Sequence, residues 1–175
     1  MVHMISDKLV DLVEHHADEI VKRWMTRLLA DELTSSYTSA NIQFVQERAT
    51  NVLKNLGSWL SYETTKEEVG KRYAEEGKAL FKLGIPLCEI TRATTVLRRV
   101  LWLYVVNESG FDSAFQLNQM RELNDRVILF FDRSQYYLTR GYMEEMNRKM
   151  KKLWNLTDTD TEKIFFSTSF YNKNP

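Results

Sequence analysis

Cysteine, proline and glycine are scarce in this 175-residue chain, which holds one cysteine, two prolines and six glycines. The turns of β-rich folds depend on glycine and proline, so this scarcity disfavours an all-β fold and favours long helices joined by few loops. The single cysteine, Cys88, has no partner for an internal disulfide, which is typical of proteins in a reducing compartment. We therefore expect a cytoplasmic protein without disulfide bonds.

An excess of charge of one sign is also absent, because 24 Lys and Arg residues balance 24 Asp and Glu residues. Nucleic-acid-binding domains usually carry a basic excess, so no nucleic-acid partner is predicted. The most apolar run, Val100 to Val106, is far shorter than the roughly 20 residues that a membrane span requires. The first residues form no uninterrupted apolar stretch, so neither a signal peptide nor a membrane partner is expected.

Apolar residues recur every three or four positions along most of the chain, which is typical of amphipathic helices. This pattern predicts five helices, over residues 6–30, 39–60, 64–83, 86–108 and 112–153, with a polar loop at 31–38. The predicted fold class is all-α, a compact bundle of about five helices. Residues 1–154 are expected to form one helical domain, and residues 155–175 a disordered or loosely docked tail.

Two of the helix boundaries carry specific signals. Thr64 or Thr65, followed three residues later by a glutamate, forms a capping-box pattern at the start of the third helix. Gly84 suits the end of that helix, and Pro86 suits the first turn of the next.

The last predicted helix is the longest, since residues 112–153 contain no proline. A helix of about 40 residues would be about 60 Å long, whereas a compact domain of this size has a diameter of roughly 40 Å. We therefore expect it to protrude and to carry a signal. Its regular stripe is the predicted surface for signalling or dimerisation: Met120, Leu123, Val127, Phe130, Ser134, Tyr137 and Gly141.

Residues 73–106 carry a family pattern, YAEEGKALFKLGIPLCEITRATTVLRRVLWLYVV, in which G-I-P-L-x-E precedes R-A-x-x-x-L-R-R-V-L-W. His16, Ile20 and Trp24 of the first helix fit the same family. On these residues the chain resembles the N-terminal sensory domain of the RsbT co-antagonist (RsbRD-type) family of bacterial stressosome proteins. Similar domains stand at the front of some histidine kinases. The resemblance covers roughly residues 5–150.

The resemblance implies an all-helical, globin-like domain that usually lacks haem. It also implies a homodimer that passes a signal along its last helix to a C-terminal effector domain. Because no effector domain follows residue 153, a separate signalling protein or a missing effector domain is the expected partner.

Residues with catalytic or metal-binding chemistry are few. No nucleophile triad, phosphate-binding loop or kinase signature is present, so no catalytic residue is assigned and no enzyme activity is expected. The histidines and Cys88 form no ligand cluster, so no metal site is predicted. A haem ligand would be expected in the middle or later helices, where histidine is absent, so no cofactor is predicted either. His16 is placed on the apolar stripe of the first helix, as a core or boundary residue.

A pocket for a small apolar ligand between the helices is a further hypothesis, with core packing as the default. The candidate pocket residues are His16, Trp24, Tyr73, Trp102, Phe130 and Tyr137. Cys88 is a candidate redox thiol because a helix N-terminus stabilises a thiolate. Its alternative is a small buried apolar residue.

The predicted function is a non-catalytic sensory or regulatory input domain in bacterial signal transduction and stress response. One alternative is a globin-type haem or redox sensor. Another is a structural adaptor that binds a partner protein through the methionine-rich end of the last helix, Met143, Met146, Met150 and Trp154.

Overall fold

The computed structural model describes residues 7–38, 41–61, 64–109, 113–157, 159–160 and 163. Within these ranges, helices are the only regular secondary structure, and no strand is present. The α-helices are α1 Asp7–His15, α2 Ala17–Ala30, α3 Ile42–Lys54, α4 Leu56–Leu60, α5 Lys66–Lys82, α6 Leu87–Glu108 and α7 Ala114–Trp154, and a 3₁₀ helix covers Glu32–Thr34. The predicted all-α class is confirmed. The predicted tail, 155–175, lies largely outside the described residues.

The first two predicted helices are each divided into two, which the sequence pattern did not predict. The first breaks at His16, with φ −104° and ψ 16°, and the second at Asn55, with φ −123° and ψ 28°. Neither glycine nor proline marks these breaks. Instead, the Glu14 carboxylate accepts a hydrogen bond of 2.8 Å from the Gly57 N–H, so a residue of α1 satisfies a free donor at the start of α4.

The predicted boundaries around α5 are confirmed. The Thr65 side chain accepts a hydrogen bond from the Glu68 N–H, and the Glu68 carboxylate accepts one from the Thr65 N–H. Between the two threonines, the structure therefore selects Thr65 as the cap. Gly84 follows α5 with φ +76°, a conformation that favours glycine, and Pro86 precedes the first residue of α6.

Helices α5 and α7 lie so close that their backbones touch. A Cβ atom added to Gly77 would lie 2.0 Å from the Leu138 carbonyl oxygen, and one added to Gly141 would lie 2.0 Å from the Ala74 carbonyl oxygen. Further along both helices, Lys82 Nζ lies 3.8 Å from Glu145 Oε1. Earlier in both helices, the ring of Tyr73 lies 5.9 Å from the ring of Phe130, so the contacts advance together along the two helices, which run parallel.

The stripe predicted for signalling or dimerisation on α7 is part of the core. All of its members except Tyr137, which is half-buried, are buried against helices of the same chain. The expectation that this stripe forms a dimer surface is therefore corrected, because α5 and its neighbours already cover it. The buried part of α7 ends at Glu145, and residues 146–154 are half-buried or exposed.

Candidate ligand-binding cavity

A cavity of about 70 Å³ lies between α2, α3, α5, α6 and α7. Large apolar and aromatic side chains form most of its wall, including Trp24, Tyr37, Phe44, Tyr73, Leu97 and Phe131. A smaller polar set joins them: Arg48, Glu76, Thr94, Ser134 and Gln135. An apolar wall with a few polar groups is typical of sites that bind small molecules.

The Trp24 indole is fixed in the wall by a hydrogen bond. Its Nε1–H donates to the Ala93 carbonyl oxygen at 2.9 Å, and the side chain is buried. This bond joins α2 to α6 and satisfies the only polar group of the indole. Trp24 therefore presents an apolar ring surface to the cavity.

Tyr37 belongs to the segment between α2 and α3, which two polar links hold against α6. Arg92 Nε donates to Asp31 Oδ2 at 2.8 Å, and the Glu89 carboxylate accepts hydrogen bonds of 2.9 Å from the N–H and the hydroxyl of Ser36. The Leu33 N–H and the Arg92 guanidinium lower the pKa of Asp31, so that link is between charged groups at neutral pH. These links set the position of Tyr37.

Glu76 brings a carboxyl group from α5 to the cavity, and its side chain is only 14% exposed. Its Oε2 atom lies 3.6 Å from Arg48 Nη1, near enough for charge attraction but too far for a hydrogen bond. Among the described residues, nothing hydrogen-bonds this buried oxygen. Burial raises the pKa of Glu76, against the opposing charges of Arg48 and Arg72. The cavity therefore holds an unsatisfied polar atom, which is costly in a protein interior.

Gln135 of α7 presents a second polar atom of this kind. Its Nε2 donates to the hydroxyls of Thr91 and Thr139 at 3.2 and 3.3 Å. Its Oε1 is buried and has no hydrogen-bond partner among the described residues. The cavity wall thus carries two unsatisfied oxygens, one from α5 and one from α7.

Both tyrosines of the wall keep their protons. Burial raises the pKa of both tyrosines well above the ordinary value, aided by the negative charges of Glu89 and Glu76 at Tyr37 and of Glu76 at Tyr73. Their hydroxyls are neutral at physiological pH, so among the described wall residues Glu76 and Arg48 form the one acidic and basic pair.

No protein-family model matches this chain. Comparisons with curated proteins and with solved structures also find no significant similarity. The resemblance to the stressosome sensory domain therefore depends on the motif residues of the sequence, and it enters below as part of a proposal.

The structure separates the six predicted pocket residues. Trp24 and Tyr73 line the cavity, whereas the other four do not. Phe130 packs against the rings of Trp59 and Tyr73, Tyr137 lies against Gly70, and Trp102 is half-buried on α6.

His16 is the fourth residue outside the cavity, and its placement on an apolar stripe is wrong. Its side chain is 46% exposed, and its ring lies 5.6 Å from the ring of Tyr104. The reason is the break between α1 and α2, which removes His16 from the helix that would have carried it inward.

Glu76 and Gln135 are the functional candidates that the sequence pattern did not reveal. The sequence does contain an indication of Glu76, because this residue lies three residues after Tyr73 and four before Leu80, on the inward face of its helix. Gln135 likewise lies four residues after Phe131 and three before Leu138 on α7. A polar residue within an apolar stripe was the available clue.

The remaining predicted chemistry concerns cysteine, metals and membranes. Cys88 is exposed in the first turn of α6, so its interpretation as a small buried residue is wrong. In the described part of the chain, no cluster of His, Cys, Asp and Glu could hold a metal ion. No histidine is among the described residues of the cavity wall. None of the described helices is both long and apolar enough to cross a bilayer.

Proposed function

We propose that this chain is a non-catalytic sensory or regulatory domain of bacterial signal transduction, located in the cytoplasm. A small molecule in the cavity would be its signal, and α7 would carry the response. The observation that carries this proposal is that one cavity is lined by both Glu76 of α5 and Gln135 of α7, the helix that extends beyond the core. The motif resemblance supports the same function.

The glycine contacts indicate which parts would move. Because Gly77 and Gly141 leave no space between the backbones of α5 and α7, these two helices would move as one body. Between α7 and α6, by contrast, the described contacts involve side chains, for example the Arg98–Asp132 pair at 3.3 Å and the Gln135–Thr91 hydrogen bond. A ligand would change the spacing across this side-chain layer. Packed helices commonly respond by shifts of about 1–2 Å.

The end of α7 is the proposed output. Leu153 and Trp154 are 65% and 64% exposed, and Met146 and Met150 are half-buried beside them. Exposed apolar residues of this kind fit a protein partner. We propose a signalling protein as that partner and a homodimer as the working state. The dimer would use a face other than the buried stripe of α7.

Filling the cavity tests the proposed relay without any knowledge of the ligand. Ala49 of α3 is buried in the cavity wall, so Ala49→Leu adds atoms to the empty space. Spin labels at Lys22→Cys in α2 and Lys152→Cys in α7, in a Cys88→Ser background, report the distance across the moving layer. We expect this distance to change by about 1–2 Å.

A second pair of labels is the matched control. Labels at Lys71→Cys in α5 and Lys152→Cys lie on the same proposed rigid body, so their distance should stay constant. Ala49→Met, which fills space more adaptably, replaces Ala49→Leu if circular dichroism shows loss of helix. Folded variants in which neither distance changes would contradict the relay.

A further inference from the structure

We infer that the cavity binds a small uncharged alcohol, whose hydroxyl group hydrogen-bonds to Glu76 and whose apolar body contacts Trp24 and Phe131. This inference depends on the proposed function, since it names the class of molecule that the sensory domain would detect. Three properties of the cavity lead to it: the volume, the charge balance and the unsatisfied oxygens.

The volume favours a ligand with a few non-hydrogen atoms. A cavity of about 150 Å³ lined by apolar residues accepts benzene, and the cavity here has about 70 Å³. A compact molecule with three or four non-hydrogen atoms suits this volume. The aromatic and aliphatic wall favours an apolar body.

The charge balance favours a neutral ligand. The Glu76 carboxyl group faces the guanidinium of Arg48 at 3.6 Å and also senses the charge of Arg72. An ammonium ligand would place a further cation beside these arginines, and a carboxylate ligand would place a second anion beside Glu76. Either charge would lose its hydration in the cavity with no complete set of partners.

The unsatisfied oxygens favour a hydroxyl group over other neutral groups. Glu76 Oε2 and Gln135 Oε1 are both buried without a hydrogen-bond partner among the described residues. A hydroxyl both donates and accepts, so it satisfies Glu76 whether that carboxyl group is ionised or protonated. A ketone or an ether accepts only, so it gives no donor to an ionised Glu76 and, beside a protonated Glu76, none to Gln135 Oε1, whereas the single O–H of an alcohol serves whichever of the two needs it.

The experiment compares 2-propanol with acetone, which has the same number of non-hydrogen atoms but no donor. Binding is followed by the NMR signal of the Trp24 indole N–H, identified with Trp24→Phe. We expect 2-propanol to saturate this shift at a concentration roughly tenfold lower than acetone, since one hydrogen bond to a buried carboxyl group is worth about that factor.

Substitutions at the unsatisfied oxygens should remove this preference. Glu76→Met deletes the carboxyl group at similar size, and the preference for 2-propanol should fall to about one. Gln135→Met should reduce it and serves as the second variant if Glu76→Met does not fold. The matched control is Glu75→Met, because Glu75 precedes Glu76 in the chain but its side chain is 66% exposed. The preference of this variant for 2-propanol should match that of the unchanged chain.

Equal affinity for both probes would overturn the inference. So would a crystal structure at saturating 2-propanol that shows only water beside Glu76. If Ala49→Leu shifts α7 while 2-propanol does not bind, the alcohol inference fails and the sensory proposal stands. If 2-propanol binds with the expected preference but neither filling nor binding shifts α7, the sensory relay fails instead.

Discussion

At the scale of single residues, Glu76 is the least expected feature of the interior. It occupies an inward position of α5, with Tyr37 and Tyr73 near enough to sense its charge and with Arg48 and Arg72 as its cations. Arg48 offers charge at 3.6 Å but no hydrogen bond. In this environment the protonated form of Glu76 is favoured over the ionised form more than it is in a solvated glutamate. Folding and protonation of Glu76 are therefore coupled.

Replacing Glu76 by glutamine should change how stability depends on pH. Burial raises the folded-state pKa of Glu76 above its ordinary value of 4.5. Above pH 4.5, the unfolded chain therefore releases this proton while the folded chain still holds it, and stability falls as pH rises towards the folded-state pKa. In urea unfolding from pH 4.5 upward, the stability of Glu76→Gln should not show this decline. The variant should therefore become more stable relative to the unchanged chain as pH rises.

Glu75→Gln is the matched control, because Glu75 contributes a pH dependence of stability with the opposite sign. The Lys78 ammonium lowers the pKa of Glu75, so the stabilising contribution of Glu75 is present above pH 4.5 and is lost as pH falls through the folded-state pKa. Parallel stability curves for Glu76→Gln and the unchanged chain would show that Glu76 is not perturbed by burial.

At the scale of helices, the sequence predicts those elements whose ends carry local signals. The Thr65–Glu68 capping box and the Gly84–Pro86 boundary depend on neighbouring residues only, and the structure confirms both. The breaks at His16 and Asn55 were missed because a tertiary hydrogen bond from Gly57 to Glu14 accompanies them. No local pattern records such a contact.

The α5–α7 contact leads to a prediction at this scale. Gly77→Ala should destabilise the fold by about 3 kcal/mol, at the upper end for overpacking, because the new Cβ would meet the Leu138 carbonyl of the neighbouring backbone at 2.0 Å. In an isolated helix the same change would stabilise by about 1 kcal/mol. Urea unfolding measures the difference.

Gly57→Ala serves as the control, since its Cβ would meet only side-chain atoms of Val10 and Glu14, at 3.1 and 3.3 Å. We expect a much smaller loss there, because side chains can adjust. Equal effects at both glycines would mean that α5 and α7 do not touch as closely as described.

At the scale of the whole molecule, the regular stripe of α7 shows why a helical pattern does not identify its partner. The same spacing serves a dimer seam and a core. In this chain Val127 is 4% exposed and packs inside the fold, whereas Leu129, two residues further, is 49% exposed. The stripe belongs to the core because α5 packs against it.

Charged substitutions distinguish these two roles. Val127→Glu should unfold the chain or cost more than about 3 kcal/mol, because it buries a charge without a partner. Leu129→Glu should keep the fold with little change. Circular dichroism and urea unfolding report both. If sedimentation equilibrium shows the unchanged chain as a dimer and Val127→Glu as a folded monomer, the stripe is a dimer interface after all.

The sequence by itself determined the all-helical class, the capped ends of α5 and the length of α7, because helical periodicity, caps and the absence of proline act locally. It also supplied two of the residues that line the cavity, Trp24 and Tyr73. Tertiary structure alone decided that Glu76 and Gln135 face one cavity and that α5 covers the α7 stripe. Both depend on how distant helices cross, and the contact of Gly77 with Leu138 fixes that crossing through three-dimensional packing rather than sequence spacing.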